Sequence, residues 1–268
     1  MKIRYANHQD IPQLKNIWKI CFGDSDLYID NFFKQIFMPE NTVVVETNHH
    51  VVGVVYLLPA KLGSTPFMYG YAIGVLPEHR GKGYTQKMLL FIKNESLKKG
   101  FVFGLHPAND KLFSFYKQIG LKEMYGLKLV NASDFAYDSV CELIDITPEE
   151  FFCLRDAAFP NLVLWDLKMI SYILHETCSF GGFAKKIIIN QNVRVLLGIC
   201  KDNAVLIKET TMTDEEIKAF SAFIKSYFHA DQISFLLPTS STLQGEIKTM
   251  ILGFDDSDRE TYMNLFLD

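Results

Sequence analysis

The sequence predicts a soluble, mixed α/β protein with two similar lobes, each a mostly antiparallel sheet flanked by helices. Short β-branched runs bounded by turn residues alternate with segments whose apolar residues recur at helical spacing. The order of these segments in the first half recurs in the second half. A chain of 268 residues that is 49% hydrophobic can form two ordinary domains, which we expect at residues 1–132 and 133–268.

The first half opens with a strand, KIRYA, and two helices. The apolar face of the first helix is Leu14, Ile17, Trp18 and Cys21, and that of the second is Phe32, Phe33, Ile36 and Phe37. TVVVET and VVGVVYLLPA, separated by NHH, predict a hairpin, and FMYGYAIGV predicts a third strand. A helix over residues 83–99 follows and ends at Gly100, with an apolar face of Met88, Leu89, Phe91, Ile92 and Leu97. FVFGL then predicts a buried strand, and NDKLFSFYKQIG a helix closed by Gly120.

The second half repeats this order. AKKIIIN and VRVLLGIC pair across QN, NAVLIKETT forms the long third strand, DEEIKAFSAFIKSYF is the helix, and QISFLLP corresponds to FVFGLHP. MILGF is expected to correspond to the helix end KQIGL, and TYMNLFLD to a terminal strand. The two halves therefore read as copies of one unit.

Composition narrows the functional classes. Residues 1–134 hold 16 Lys and Arg against 11 Asp and Glu, and residues 135–268 hold 11 against 20, so the halves carry net charges of +5 and −9. Neither half shows the clustered basic face of a nucleic-acid binder. No apolar run is long enough to span a membrane and the N-terminus lacks a signal-peptide core, which predicts a cytoplasmic protein that binds no membrane. The five scattered cysteines are expected to be reduced core thiols, with no zinc site.

The stretch PEHRGKGYTQKMLLF, residues 77–91, places two glycines and several cationic side chains at a helix start. A helix N-terminus carries unpaired N–H groups and partial positive charge, so it binds an anion that can approach closely. Gly81 and Gly83 permit that approach, and Arg80 and Lys82 add charge. The pattern is neither a Walker A loop nor a Rossmann fingerprint, and a plain solvated turn is the alternative.

The corresponding helix of the second half starts differently. In TMTDEE, Thr213 and Glu216 have the spacing of a capping box, which pairs the helix's own N–H groups. Asp214, Glu215 and Glu216 would also repel a phosphate. The contrast predicts one anion site per chain, in the first half.

These residues resemble a known family. VLPEHRGKGYTQKML is similar to the acyl-CoA-binding motif R/Q-x-x-G-x-G/A of the GNAT superfamily of N-acyltransferases, with Arg80, Gly83 and Thr85 at its fixed places and Thr85 in place of the usual small residue. NDKLFSFYKQIGL resembles a second family segment through Asn109, Tyr116 and Gly120. The chain looks most like the two-lobed branch related to the enhanced intracellular survival acetyltransferases, without their sterol-carrier-like domain.

The resemblance implies a GNAT fold, a degenerate second lobe and acetyl-CoA as co-substrate. The pyrophosphate would lie at the helix start, and pantetheine along the preceding strand. The residues expected to bind the cofactor are Ile73, Gly74, Val75, Arg80, Gly81, Lys82, Gly83, Tyr84, Thr85 and Asn109. Asn109 serves equally well as a helix N-cap.

Direct acetyl transfer to an amine needs an acid for the leaving thiolate and a base for the amine. Tyr116 is the expected general acid, and a core aromatic residue is its alternative role. Asp268, the terminal residue, is expected to be the base by resemblance, with Glu46, His79 and His106 as other candidates. The sequence thus predicts an N-acetyltransferase with a small-molecule amine acceptor and no metal. A non-catalytic acyl-CoA-binding regulator and a protein or peptide N-acetyltransferase are the alternatives, and a homo-oligomer is left open.

The acidic second lobe has two interpretations. It forms one wall of an acceptor cleft that attracts a cationic amine, or it only keeps the surface solvated.

Overall fold

A computed structural model describes residues 1–133, 135, 141–158 and 163–254. The chain divides into two compact units, of which the first comprises Met1–Met124 with residues 251–254 and the second Tyr125–Met250. The elements are β1 (Lys2–Tyr5), α1 (Ile11–Phe22), α2 (Asp26–Gln35), β2 (Thr42–Thr47), β3 (His50–Leu62), β4 (Thr65–Val75), α3 (Tyr84–Lys99), β5 (Val102–Leu105), α4 (Asp110–Gln118), β6 (Lys122–Asn131), β7 (Glu142–Asp145), α5 (Pro148–Ala158), β8 (Val163–Leu164), α6 (Leu167–Ser179), β9 (Gly182–Ile189), β10 (Asn192–Lys201), β11 (Ala204–Thr210), α7 (Asp214–Tyr227), β12 (Gln232–Pro238) and β13 (Glu246–Gly253).

The first unit contains the sheet order β1-β2-β3-β4-β5, in which only β4 and β5 are parallel. The hairpin between β2 and β3 turns on Asn48 and His49, whose φ angles of 49° and 64° fit a tight two-residue turn. Beyond β5, the sheet is continued by Leu252 and Gly253 of β13, which pair antiparallel with Leu105 and Gly104. A late segment of the chain therefore forms part of the first unit.

The second unit contains the sheet order β7-β9-β10-β11-β12-β6, again with a single parallel pair, β11 and β12. The predicted mixed α/β class with a mostly antiparallel sheet and flanking helices is confirmed. The predicted helices and hairpins of both halves form close to the expected bounds. Helices α5 and α6 were not predicted.

Several expectations were wrong in detail. The second helix ends at Gln35, before Ile36 and Phe37. Leu97 was assigned to the apolar face of α3 but is 77% exposed, because it lies on the same side of the helix as the exposed Leu90, away from the buried Ile92 and Ser96. MILGF does not end a helix, since β13 runs through it as an extended strand.

The cysteines also differ from the prediction. All five are free, but Cys153, Cys178 and Cys200 are exposed, and Cys21 and Cys141 are half-buried. None is a core thiol. Two predicted features, the strand TYMNLFLD and the terminal Asp268, lie outside the described residues.

Candidate functional site

A gap opens between the two parallel strands of the first unit. β4 and β5 pair only from Phe67 to Gly70, opposite Val102 to Leu105, and β4 then continues to Val75. Where this pairing stops, β4 has a bulge in its pairing with β3. Tyr71 of β4 lies opposite Tyr56 of β3, and Gly74 lies opposite Val54. Two residues of β4 therefore lie opposite one residue of β3. The bulged residue Ala72 has a φ of 45°. The pairing of β4 with β5 therefore stops where this bulge begins.

The end of β4 presents main-chain groups to this gap. Leu76 N–H donates to the carbonyl oxygen of Val52 at 3.0 Å, which makes this a hydrogen-bonded pair of the antiparallel ladder. Such pairs alternate with pairs whose main-chain groups point away from the partner strand. The N–H and C=O groups of Val75 therefore point away from β3. An extended ligand could pair with them there.

The loop after β4 leads to an open helix N-terminus. Gly81 and Gly83 have φ angles of 75° and 71°, in the left-handed region that favours glycine. Gly83 is the N-cap of α3, no side chain caps the helix, and its first turn contains no acidic residue. A Cβ built on either glycine meets no atom within 4 Å, so the space in front of the helix is open. This geometry suits a bound anion.

The two cations of the loop contact main-chain carbonyls, one at the end of β4 and one within the loop. Arg80 Nε donates to the carbonyl oxygen of Val75 at 3.0 Å, and Lys82 Nζ donates to that of Glu78 at 3.2 Å. Both side chains are exposed. Positive charge thus lies beside the helix start.

The predicted capping box of the second unit is confirmed. Thr213 Oγ1 accepts from the Glu216 N–H at 3.2 Å, and the Glu216 carboxylate accepts from the Thr213 N–H at 2.8 Å. A second set of hydrogen bonds at this helix start was not predicted from the sequence. The Asp214 carboxylate accepts from Ser241 Oγ at 2.8 Å, and from the N–H and hydroxyl of Thr242 at 2.5 and 2.6 Å. Carboxylates of the chain itself therefore occupy the start of α7, whereas the start of α3 is open.

The segment before α4 contains the next expected site residues. Asn109 is the N-cap of α4, since its Oδ1 accepts from the Leu112 N–H at 3.0 Å. Tyr116 is 5% exposed and belongs to the same hydrophobic cluster as Val75 and Leu105, which flank the gap. Burial raises the pKa of Tyr116 to about 12. At neutral pH its phenol therefore carries its proton.

The alternative base candidates differ in their surroundings. Glu46 forms an ion pair with Arg4 at 2.8 Å, and the hydrogen bond from Arg4 lowers the pKa of Glu46, which makes it a weaker base. The His79 ring lies against Tyr84, with ring centroids 6.4 Å apart. His106 directly follows β5.

An aromatic cluster on the α1 and α2 side of β4 was not predicted as a group. Trp18 contacts Phe32 and Tyr56 at ring-centroid distances of 4.6 and 5.2 Å. The hydroxyls of Tyr28 and Tyr71 lie 2.7 Å apart, immediately before the bulge. Helical spacing in the sequence predicts that Trp18 of α1 and Phe32 of α2 are buried. That the two side chains meet beside the bulge depends on contacts between distant segments of the chain.

Comparisons with known proteins agree with this geometry. Residues 2–123 match the family model described as acetyltransferase (GNAT) domain, which covers almost all of Met1–Met124. No curated protein matches the chain. No helix in the described part of the chain is long and apolar enough to cross a membrane.

Three solved structures are similar to this chain over most of its length. A GCN5-related N-acetyltransferase from Anabaena variabilis has 16% identity and a TM-score of 0.71, covering 94% of this chain and 71% of its own. A probable N-acyltransferase from Enterococcus faecalis has 11% identity and a TM-score of 0.72, with coverages of 94% and 72%. Eis1 from Mycobacterium abscessus has 12% identity and a TM-score of 0.69, with coverages of 94% and 72%. At these identities the likeness shows the fold.

Proposed function

Because residues 2–123 match the GNAT acetyltransferase family model, we propose that this protein transfers an acetyl group from acetyl-CoA to a primary amine by direct attack in a ternary complex. The observation that carries the proposal is the open start of α3 beside the β4–β5 gap. The self-capped start of α7 strengthens it, because the same chain closes the corresponding helix with its own carboxylates.

The first unit has a place for each part of the donor. The N–H groups at residues 81–85 would hold the pyrophosphate, and Lys82 supplies nearby positive charge. The main-chain groups of Ile73 and the N–H of Val75 would pair with the pantetheine in the gap, since the Val75 carbonyl already accepts from Arg80. Asn109 caps α4 through its side-chain oxygen, and its side-chain NH₂ group would donate to the cofactor.

The chemistry requires two proton transfers. The amine nitrogen attacks the thioester carbon, the C–S bond breaks, and the thiolate takes a proton, for which Tyr116 is the proposed donor. A main-chain N–H near the bulge would stabilise the developing negative charge on the carbonyl oxygen, a contribution of about 3–4 kcal/mol in comparable sites. The amine's proton passes to a base, for which Asp268 remains the proposal.

The second unit is proposed to be a degenerate GNAT-like lobe without a cofactor of its own, with the predicted extent of residues 133–268. Its net negative charge favours cationic acceptors over anionic ones. We further propose a cytoplasmic location.

A thiol-release assay with acetyl-CoA against amines, aminoglycosides, polyamines and amino acids tests the proposal. Tyr116→Phe should lower kcat by about 10²- to 10⁴-fold and leave CoA affinity unchanged, because only the proton donor is removed. Tyr56→Phe is the matched control, since Tyr56 is equally buried in the same unit and its hydroxyl has no hydrogen-bond partner within the described ranges.

CoA binding by the wild-type protein without thiol release from any acceptor would instead support the regulatory alternative. In that case the burial of Tyr116 would reflect a purely structural aromatic residue.

A further inference from the structure

We propose that Arg80 is a positioning residue that acts through the main chain of Val75, and that its guanidinium is not primarily a phosphate ligand. This inference rests on the proposed function, because it assigns a role within the same donor site. Its origin is the hydrogen bond from Arg80 Nε to the Val75 carbonyl oxygen, 3.0 Å long.

The Val75 carbonyl needs such a donor. Val75 is 8% exposed, and its carbonyl points away from β3, on the side where β5 no longer pairs with β4. A nearly buried carbonyl without a ladder partner costs free energy unless another donor reaches it. Arg80 supplies that donor, and the Cys21 thiol lies at 3.5 Å as a weaker second one.

The same bond closes the loop onto the strand. Between Val75 and Arg80 the chain forms a tight turn in which His79 N–H donates to the Leu76 carbonyl at 2.9 Å and Arg80 N–H to the Pro77 carbonyl at 3.2 Å. The following glycines have open space around them and no side chain to anchor them. Lys82 bonds only within the loop, to the Glu78 carbonyl, whereas Arg80 reaches back to β4 itself. Arg80 therefore fixes the loop to the strand and sets where the N–H groups of residues 81–85 lie.

This role depends on one particular atom. Nε of arginine is bonded to Cδ, and the amide nitrogen of glutamine is bonded to the corresponding Cδ. Glutamine can therefore donate from the same position without a charge. Lysine keeps the charge but has a carbon at that position, and methionine has neither the donor nor the charge.

The test compares Arg80→Gln, Arg80→Lys and Arg80→Met. KM is measured with acetyl-CoA and with S-acetylpantetheine, which lacks the pyrophosphate and the adenosine. We expect Arg80→Gln to stay within about threefold of wild type, and Arg80→Lys and Arg80→Met to raise KM by about tenfold, the effect of one lost hydrogen bond. The same ranking should hold with S-acetylpantetheine, because the phosphates are not involved.

Lys82→Gln is the control for a charge effect. It should raise KM for acetyl-CoA and leave KM for S-acetylpantetheine unchanged, since an exposed ammonium acts mainly on the phosphates. The inference is overturned if Arg80→Gln does not have a lower KM for acetyl-CoA than both Arg80→Lys and Arg80→Met. It is also overturned if this difference in KM disappears with S-acetylpantetheine. If the wild type neither binds CoA nor releases thiol, the proposed function fails first, and the role of Arg80 in donor binding fails with it.

Discussion

Gly83→Ala tests the anion site at the start of α3. Gly83 has a φ of 71°, and a Cβ there meets no atom within 4 Å, so the substitution introduces backbone strain without a clash. A left-handed residue other than glycine costs about 1–2 kcal/mol, which is the expected loss in the free energy of unfolding. The added methyl group also lies where the phosphates would approach. Loss of one N–H contact to a charged group costs about 1.5–3 kcal/mol, so KM for acetyl-CoA should rise by about 10- to 150-fold.

Gly63→Ala provides a matched control in the turn between β3 and β4. Its φ is 58° and its surroundings are equally open, so the strain is similar. Chemical denaturation should show the same loss of stability in both variants, whereas thiol release should show a raised KM only in Gly83→Ala. Equal KM values in the two variants would refute the placement of the phosphates at this helix start.

Further predictions concern acid catalysis, the second unit and its buried charge. Since the pKa of Tyr116 is raised to about 12, its phenol stays protonated and kcat should not fall between pH 8 and about 10 on its account; a rate profile that drops with an apparent pKa below 10 would argue against Tyr116 as the acid. Asp214→Asn should destabilise the protein by about 1–3 kcal/mol in denaturant melts. Burial opposes the charged form of Asp214, but the hydrogen bonds from Thr242 and Ser241 outweigh burial and lower the pKa of Asp214. The difference in stability between wild type and Asp214→Asn should therefore be complete above about pH 5 and become smaller in more acidic buffer. Glu209→Gln should cost about 3–5 kcal/mol, because Arg155 and Glu209 form a fully buried ion pair, whereas Asp145→Asn, which breaks the exposed pair with Lys185, should cost less than about 1 kcal/mol.

Local signals in the sequence were sufficient for most elements of the fold. The capping box at Thr213 and the N-cap at Asn109 depend on residues three apart, and the hairpin at Asn48 and His49 on a two-residue turn. Such patterns are visible without tertiary information. The open and closed helix starts were accordingly predicted from the sequence.

Features that depend on distant segments were not predictable in the same way. β13 pairs with β5 across more than half of the chain, and nothing in MILGF distinguishes a strand from a helix end. Two hydrogen bonds depend on the conformation of loops: the one between Asp214 and Ser241, and the one between Arg80 and Val75.

The most direct measurement of the central claim is amide hydrogen exchange of the full chain with and without CoA, read by segment. Bound CoA should slow exchange at residues 73–75 and 81–86, where the gap and the open helix start lie. Exchange at residues 213–218 should stay unchanged, because that helix start is already capped by the chain. The account would be contradicted if CoA slowed exchange at residues 213–218, or if it left exchange at residues 81–86 unchanged.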